Sequence, residues 1–232
     1  MGEHKNGYNE HGITHYRGDG AMRRQMALVL GLVLPLAISA AQANVVESME
    51  YVRVSPAQPV PPGPRILVQE VFWYGCPHCF HLQPVLNRWL AHKPADIVFE
   101  RQAAAISPYW LPQARAFFAF KDLGLVPALH DKFFNAIHIH HEVLDNAATI
   151  SAWVAQHSHV SAARFKTVYR SFAVGLAVRK ARQQQTEEDI HSVPTFVVDG
   201  RYRTNPSLAG GRRQMLRVVD YLVRKAQRRS GH

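Results

Sequence analysis
The chain has two cysteines, and both lie in one stretch, Cys76-Pro77-His78-Cys79. Two thiols separated by two residues can close into a tight disulfide and reopen by thiolate attack through a mixed disulfide. Their position decides what that chemistry is for. Upstream, residues 66–74 (ILVQEVFWY) form a near-continuous apolar run between Pro64 and Gly75, the pattern of a central strand covered on both faces. Downstream, Leu82, Val85, Leu86, Trp89 and Leu90 recur at helical spacing and predict one buried face. Pro84 stands inside that pattern and is expected to kink the helix, because it removes a backbone donor. The cysteines therefore stand at a strand-to-helix junction, where unsatisfied N–H groups and a partial positive charge favour a thiolate.

Cys76 is expected in the first turn with its sulfur facing those donors, and Cys79, one turn on, is expected to be more buried and less reactive. His78 shares the turn and, as a cation or a donor, would stabilise the Cys76 thiolate further. Stabilising the thiolate of the reduced form makes the disulfide easier to reduce, so the pair reads as an oxidant. Each pKa unit corresponds to about 1.4 kcal/mol, and about 30 mV of two-electron potential is the same energy. A zinc site from Cys76, Cys79, His78 and His81 lacks a second cysteine pair and the usual spacing. A purely structural bridge closing so short a loop would gain little from loop entropy.

Composition limits the alternatives. In 232 residues, 47% are hydrophobic and 19% charged, which excludes a disordered or fibrous chain. No apolar run reaches the roughly 18–20 residues of a membrane span. The net charge is +10, and seven basic residues follow Gly211: Arg212, Arg213, Arg217, Arg224, Lys225, Arg228 and Arg229. With Tyr221 as the only aromatic among them, they read as a solvated helix face, and no nucleic-acid partner is expected. At the front, Met22-Arg23-Arg24-Gln25 precedes an apolar stretch at 26–38 and the small-x-small sequence Ala41-Gln42-Ala43. Basic, apolar, small is the layout of a secretory signal peptide, here 22–43 with cleavage after Ala43, and it leaves both Met1 and Met22 open as the start of translation. The mature chain would then work in an oxidising compartment.

Along that mature chain, the proline-rich residues 55–64 read as an extended lead-in, and 97–101 (IVFER) as a second strand completing a βαβ unit. Helices are expected at 112–123 and 127–137. A third is capped by Asp145 and presents Ile150, Trp153 and Val154. A longer fourth, capped by Ser161, carries Phe165, Val168, Tyr169, Phe172 and Leu176. The aromatic stripes are read as core. Residues 195–198 and 201–203 flank Asp199-Gly200, the strongest short hairpin signal, and a last helix over 212–228 buries Met215, Val218, Val219 and Leu222. The cluster His138-Ile139-His140-His141-Glu142 reads as a solvated loop, and His92, His130, His157 and His159 as surface residues.

Residues 65–232 resemble the DsbA family of periplasmic thiol:disulfide oxidoreductases. The resemblance rests on residues 70–79 (EVFWYGCPHC) and 193–202 (VPTFVVDGRY). It implies an α/β thioredoxin fold with an inserted all-helical domain: 44–106 and 186–232 thioredoxin-like, 107–185 the insertion, after a leader at 1–43. It further implies a catalytic set of Cys76, Cys79, His78 and Pro77. Pro194 matches the family's cis-proline, and Val193 before it would offer its backbone to an extended substrate. Glu70 matches a buried acid beneath the site, in a position to relay protons to Cys79. No cofactor or metal is expected beyond the cysteine pair. The implied partners are reduced secreted proteins and a DsbB-type, quinone-linked reoxidant in the inner membrane. A disulfide isomerase or reductase on the same fold is the alternative. With no long exposed heptad, a monomer is expected. One departure is Gly75, where the family's prototype carries an aromatic residue; looser packing is expected there.

Overall fold
The computed structural model describes residues 45–61 and 63–229. The predicted signal peptide, its cleavage point and both starts, Met1 and Met22, lie outside them. The described strands are β1 (Val52–Arg53), β2 (Ile66–Phe72), β3 (Ile97–Ala103), β4 (Thr195–Val198) and β5 (Tyr202–Thr204), in the order β1-β5-β4-β2-β3. β2 and β3 run parallel, and every other pair is antiparallel. A parallel neighbour requires a crossover, and α1 (Pro77–His92) supplies it between β2 and β3.

β2 is buried along almost its whole length, as its apolar run predicts. It ends at Phe72 rather than Tyr74, because the chain turns there: the Cys76 N–H donates to the Trp73 carbonyl at 3.0 Å. The hairpin falls where Asp199-Gly200 predicts. Both residues are left-handed (φ 55° and 61°), as a two-residue turn between twisted strands requires. At Gly200 a Cβ would also stand 2.4 Å from the Gln58 carbonyl oxygen, so the proline-rich lead-in is laid directly on this turn. β1, just before the lead-in, pairs with β5 and was not expected.

Five helices lie between β3 and β4, not four: α2 (Leu111–Asp122), α3 (Val126–His138), α4 (Ala147–His157), α5 (Ala162–Tyr169) and α6 (Phe172–Glu187). The expected helix from Ser161 through Leu176 is broken at Arg170–Ser171, where the Ser171 hydroxyl accepts the Val174 N–H and starts a new helix. Phe172, expected in the core, is consequently 77% exposed. The cap of α4 is Asn146 rather than Asp145; its side-chain oxygen accepts the N–H groups of Ala148 and Thr149.

The remaining aromatics of the stripes are core. Phe117, Phe120, Phe133, Phe134, Trp153 and Phe165 share one buried cluster with Phe72, Tyr74, Cys76 and Cys79. A second cluster joins Ile66, Val68, Leu82, Leu86 and Phe196 to Met215, Val218, Val219 and Leu222 of a terminal helix, α8 (Arg212–Arg229), which follows the short α7 (Pro206–Ala209). α6 is fixed to the sheet by polar bonds. Gln185 accepts the Ala105 N–H at 2.8 Å and donates to Gln102 and to the Ala103 carbonyl, while Gln184 donates to Gln69.

Candidate active site
Cys76 caps α1. Its sulfur accepts the Cys79 N–H at 3.4 Å, and Pro77, at the first helical position where a missing N–H costs nothing, opens the helix. The pairing of β2 with β4, with Val71 opposite Thr195, brings the loop before β4 beside the end of β2. There the Val193–Pro194 peptide is cis, and the Cys76 thiol donates to the Val193 carbonyl at 3.5 Å. Cys76 is 6% exposed and Cys79 fully buried, both as free thiols.

The two thiols are driven apart in acidity. A hydrogen bond from the Cys79 thiol, reinforced by the backbone N–H groups of Cys79 and His78, brings Cys76 down to about 7 against the opposing effect of burial. Burial first, then the bond to Cys76 and its charge, pushes Cys79 well above the usual thiol range. The support His78 gives the sulfur therefore comes through its backbone. Its imidazole is exposed and lines a groove of about 380 Å³ with Ser192, Val193, Pro206, Ser207, Gly211 and Arg212.

Beneath the cysteines lies a polar cluster that the sequence reveals only in part. Glu70 is fully buried. The parallel register sets it beside Arg101, whose Nε donates to its carboxylate at 3.1 Å. Gln83 spans the gap to the site, donating both to Glu70 and to the Cys79 carbonyl at 3.2 Å. Burial raises the Glu70 pKa, with Arg101 opposing. Gln83 and Arg101 were missed, although Gln83 follows Cys79 by one helical turn and so had to share its buried face.

The turn before Cys76 is held from α3, which corrects two readings. His130, taken for a surface residue, is 4% exposed and hydrogen-bonded to the Tyr74 hydroxyl at 3.0 Å. Burial drives it far below the usual histidine range, so it is neutral. His138, taken for part of a solvated loop, ends α3; its Nε2–H donates to the Tyr74 carbonyl at 2.7 Å, and its ring stacks on Phe80 at 4.8 Å. The signal was present: His130 and His138 stand four residues either side of buried Phe134, on one face of α3. Gly75 corrects a third. A Cβ there would stand 2.3 Å from the Trp73 ring, so the indole, stacked on Trp110 at 5.1 Å, fills the space expected to be loose. Among the described residues, no group of three or more His, Cys, Asp or Glu is arranged to hold a metal.

Comparison with known proteins gives this arrangement a family. Residues 111–221 match the DSBA-like thioredoxin domain. The thiol:disulfide interchange protein DsbA of Pseudomonas aeruginosa is 34% identical over 176 residues, 76% of this chain and 83% of that protein. The chain belongs to the DsbA family. The DsbA of Azotobacter vinelandii is 32% identical over 185 residues, 80% of this chain and 86% of that protein. The crystal structure of the Pseudomonas aeruginosa DsbA superposes with a TM-score of 0.76 at 32% identity, covering 81% of this chain and 97% of that one. The DsbA from Xylella fastidiosa gives a TM-score of 0.72 at 29% identity, covering 77% and 95%. As a member of the DsbA family, the chain is a thiol:disulfide oxidoreductase with a thioredoxin fold and an all-helical insertion.

Proposed function
We propose that the chain donates a Cys76–Cys79 disulfide to reduced, newly exported proteins. The observation that carries this reading is the split between the two thiols: Cys76 at about 7 on a helix N-terminus, Cys79 buried and held protonated. A substrate thiolate attacks the Cys76 sulfur, the Cys76–Cys79 bond breaks, and Cys79 leaves and takes up a proton. The substrate's second thiolate then attacks its own sulfur in the mixed disulfide, and Cys76 departs as a stabilised thiolate. Two electrons pass from substrate to enzyme, and a low-pKa thiol leaves fastest.

The other residues divide the work. Pro77 starts the helix that supplies the donors. His78 contributes its N–H to the sulfur and its imidazole to the groove. Pro194 and Val193 position an extended substrate, Val193 by its backbone. Glu70, with a raised pKa, relays the proton to Cys79, and Gln83 ties the Glu70 carboxyl to the backbone of that cysteine. The cysteine pair works without metal or organic cofactor. The site of action is the periplasm, reached through the signal peptide at 22–43, and the protein acts as a monomer without nucleic acid. A DsbB-type, quinone-linked membrane protein restores the disulfide.

Equilibration with glutathione buffers tests the direction. A potential well above the glutathione couple is expected. A value near that of thioredoxin, about −270 mV, would make the chain a reductant or isomerase. Cys76→Ser should abolish oxidation of a reduced, unfolded substrate; retained activity would remove Cys76 from the mechanism.

A further inference from the structure
We propose that the groove beside Cys76 selects reduced polypeptides that carry carboxylates next to the reacting cysteine, and that Arg212 is the residue that reads them. This rests on the disulfide-donor reading above and adds which substrates are taken.

The groove runs between the first turn of α1 at His78, the cis-proline loop at Ser192 and Val193, and the segment from Pro206 to the start of α8. A substrate strand laid along the Val193 backbone, with its cysteine at Cys76, would send neighbouring side chains to one wall or the other. The charge they meet has one sign. Arg212 lines the groove, and no carboxylate contributes to it. The first turn of α8 holds no acidic residue, and the unsatisfied N–H groups of a helix start add positive character there.

Arg212 and its neighbour Arg213 are exposed, and among the described residues neither forms an ion pair. Arg53, Arg101, Arg201 and Arg203 pair with Glu47, Glu70, Asp199 and Asp189, whereas Arg212, like most of the other described arginines, has no ion pair; what distinguishes it is its place on the groove wall. At the groove the positive charge is left for something that arrives. A carboxylate on the substrate would neutralise it, and a lysine in the same place would be repelled. For exposed groups of this kind the discrimination is about two- to fivefold and falls with salt.

The test uses three peptides with the same two cysteines, in which Glu, Ser or Lys flanks the first cysteine. Each is mixed with the oxidised protein, and peptide disulfide is followed by acid quench and chromatography. In each turnover the peptide's two thiols become its disulfide and Cys76–Cys79 becomes two thiols. Rates are divided by the rate at which a small neutral disulfide oxidises the same peptide, which removes the effect of flanking charge on the peptide's own thiols. The expected order is Glu, Ser, Lys at low salt, converging near 1 M NaCl. Arg212→Gln should flatten the order and Arg212→Glu reverse it. Equal normalised rates at low salt in the unaltered protein would overturn the proposal while leaving the disulfide-donor reading intact. So would a Glu preference that survives Arg212→Glu. If none of the three peptides is oxidised, the donor reading fails and the selectivity with it.

Discussion

At the scale of single residues, the acidity of Cys76 is a matter of which donors reach one sulfur. The Cys79 thiol and two backbone N–H groups of the first helical turn hold it at about 7, while burial alone would have raised it. Thiolate is the reactive species, so alkylation of the reduced protein by iodoacetamide should rise about tenfold per pH unit below 7 and level off above it. Cys79 should stay unmodified through pH 8, as peptide mapping by mass would show. An inflection at the ordinary thiol value near 8.5 would mean that the donors do not act on the sulfur as the geometry indicates. The placement of Cys76, His78 and Cys79 at one helix start is legible in the sequence, because a strand-like run and a helical stripe bracket them, and the burial of Glu70 is legible through the family pattern around them. Arg101 was not legible, since its role depends on the parallel register that sets β2 against β3, whereas Gln83 could have been found from its place one helical turn after Cys79. That register is a long-range fact no local spacing encodes.

At the scale of elements, the site is a turn clamped between a strand end and two helices. Tyr74 is held through its hydroxyl by His130 and through its carbonyl by His138, while the Trp73 indole lies over Gly75. Gly75→Ala places a methyl where the indole now sits and must displace it from Trp110. A loss of about 1–3 kcal/mol in stability is expected, with a change in tryptophan fluorescence, both readable in one urea titration. Unchanged stability and emission would show that the indole is free to move aside. Periodicity found the existence of most elements but misplaced two helix starts. Asp145 and Asn146 are both good caps, and only the Asn146 side chain reaches back to the N–H groups. The break at Ser171 was hidden because Phe165, Val168, Tyr169 and Phe172 continue a helical stripe straight across it. The stripe persists in the sequence even though Phe172 leaves the core. The histidines of α3 were misread for a related reason: histidine is common on surfaces, and its burial here depends on Tyr74, 56 residues away from His130.

At the scale of the whole molecule, the redox state of one pair is linked to the stability of the fold. Cys76 and Cys79 belong to the same buried cluster as the aromatics of α2 and α3, so the donors on Cys76 are in place only when the chain is folded. The Cys76 pKa is lowered by folding; the stabilisation this gives the reduced protein is fully present above the unfolded thiol value and is lost as pH falls through about 7. Oxidation removes the thiolate and with it this contribution. The opposing gain from cross-linking the unfolded chain is about 1–2 kcal/mol for so short a loop and does not vary with pH. The urea resistance of the reduced protein relative to the oxidised protein should therefore be greater at pH 8 than at pH 5.5, where the folded thiol is protonated. The direction agrees with the oxidant role, because a fold that favours its dithiol form is one that gives its disulfide away. Equilibrium urea titrations of both forms at the two pH values measure it. An oxidised form that instead gains on the reduced form between pH 5.5 and pH 8 would show that folding does not favour the Cys76 thiolate, and would count against the proposed donor.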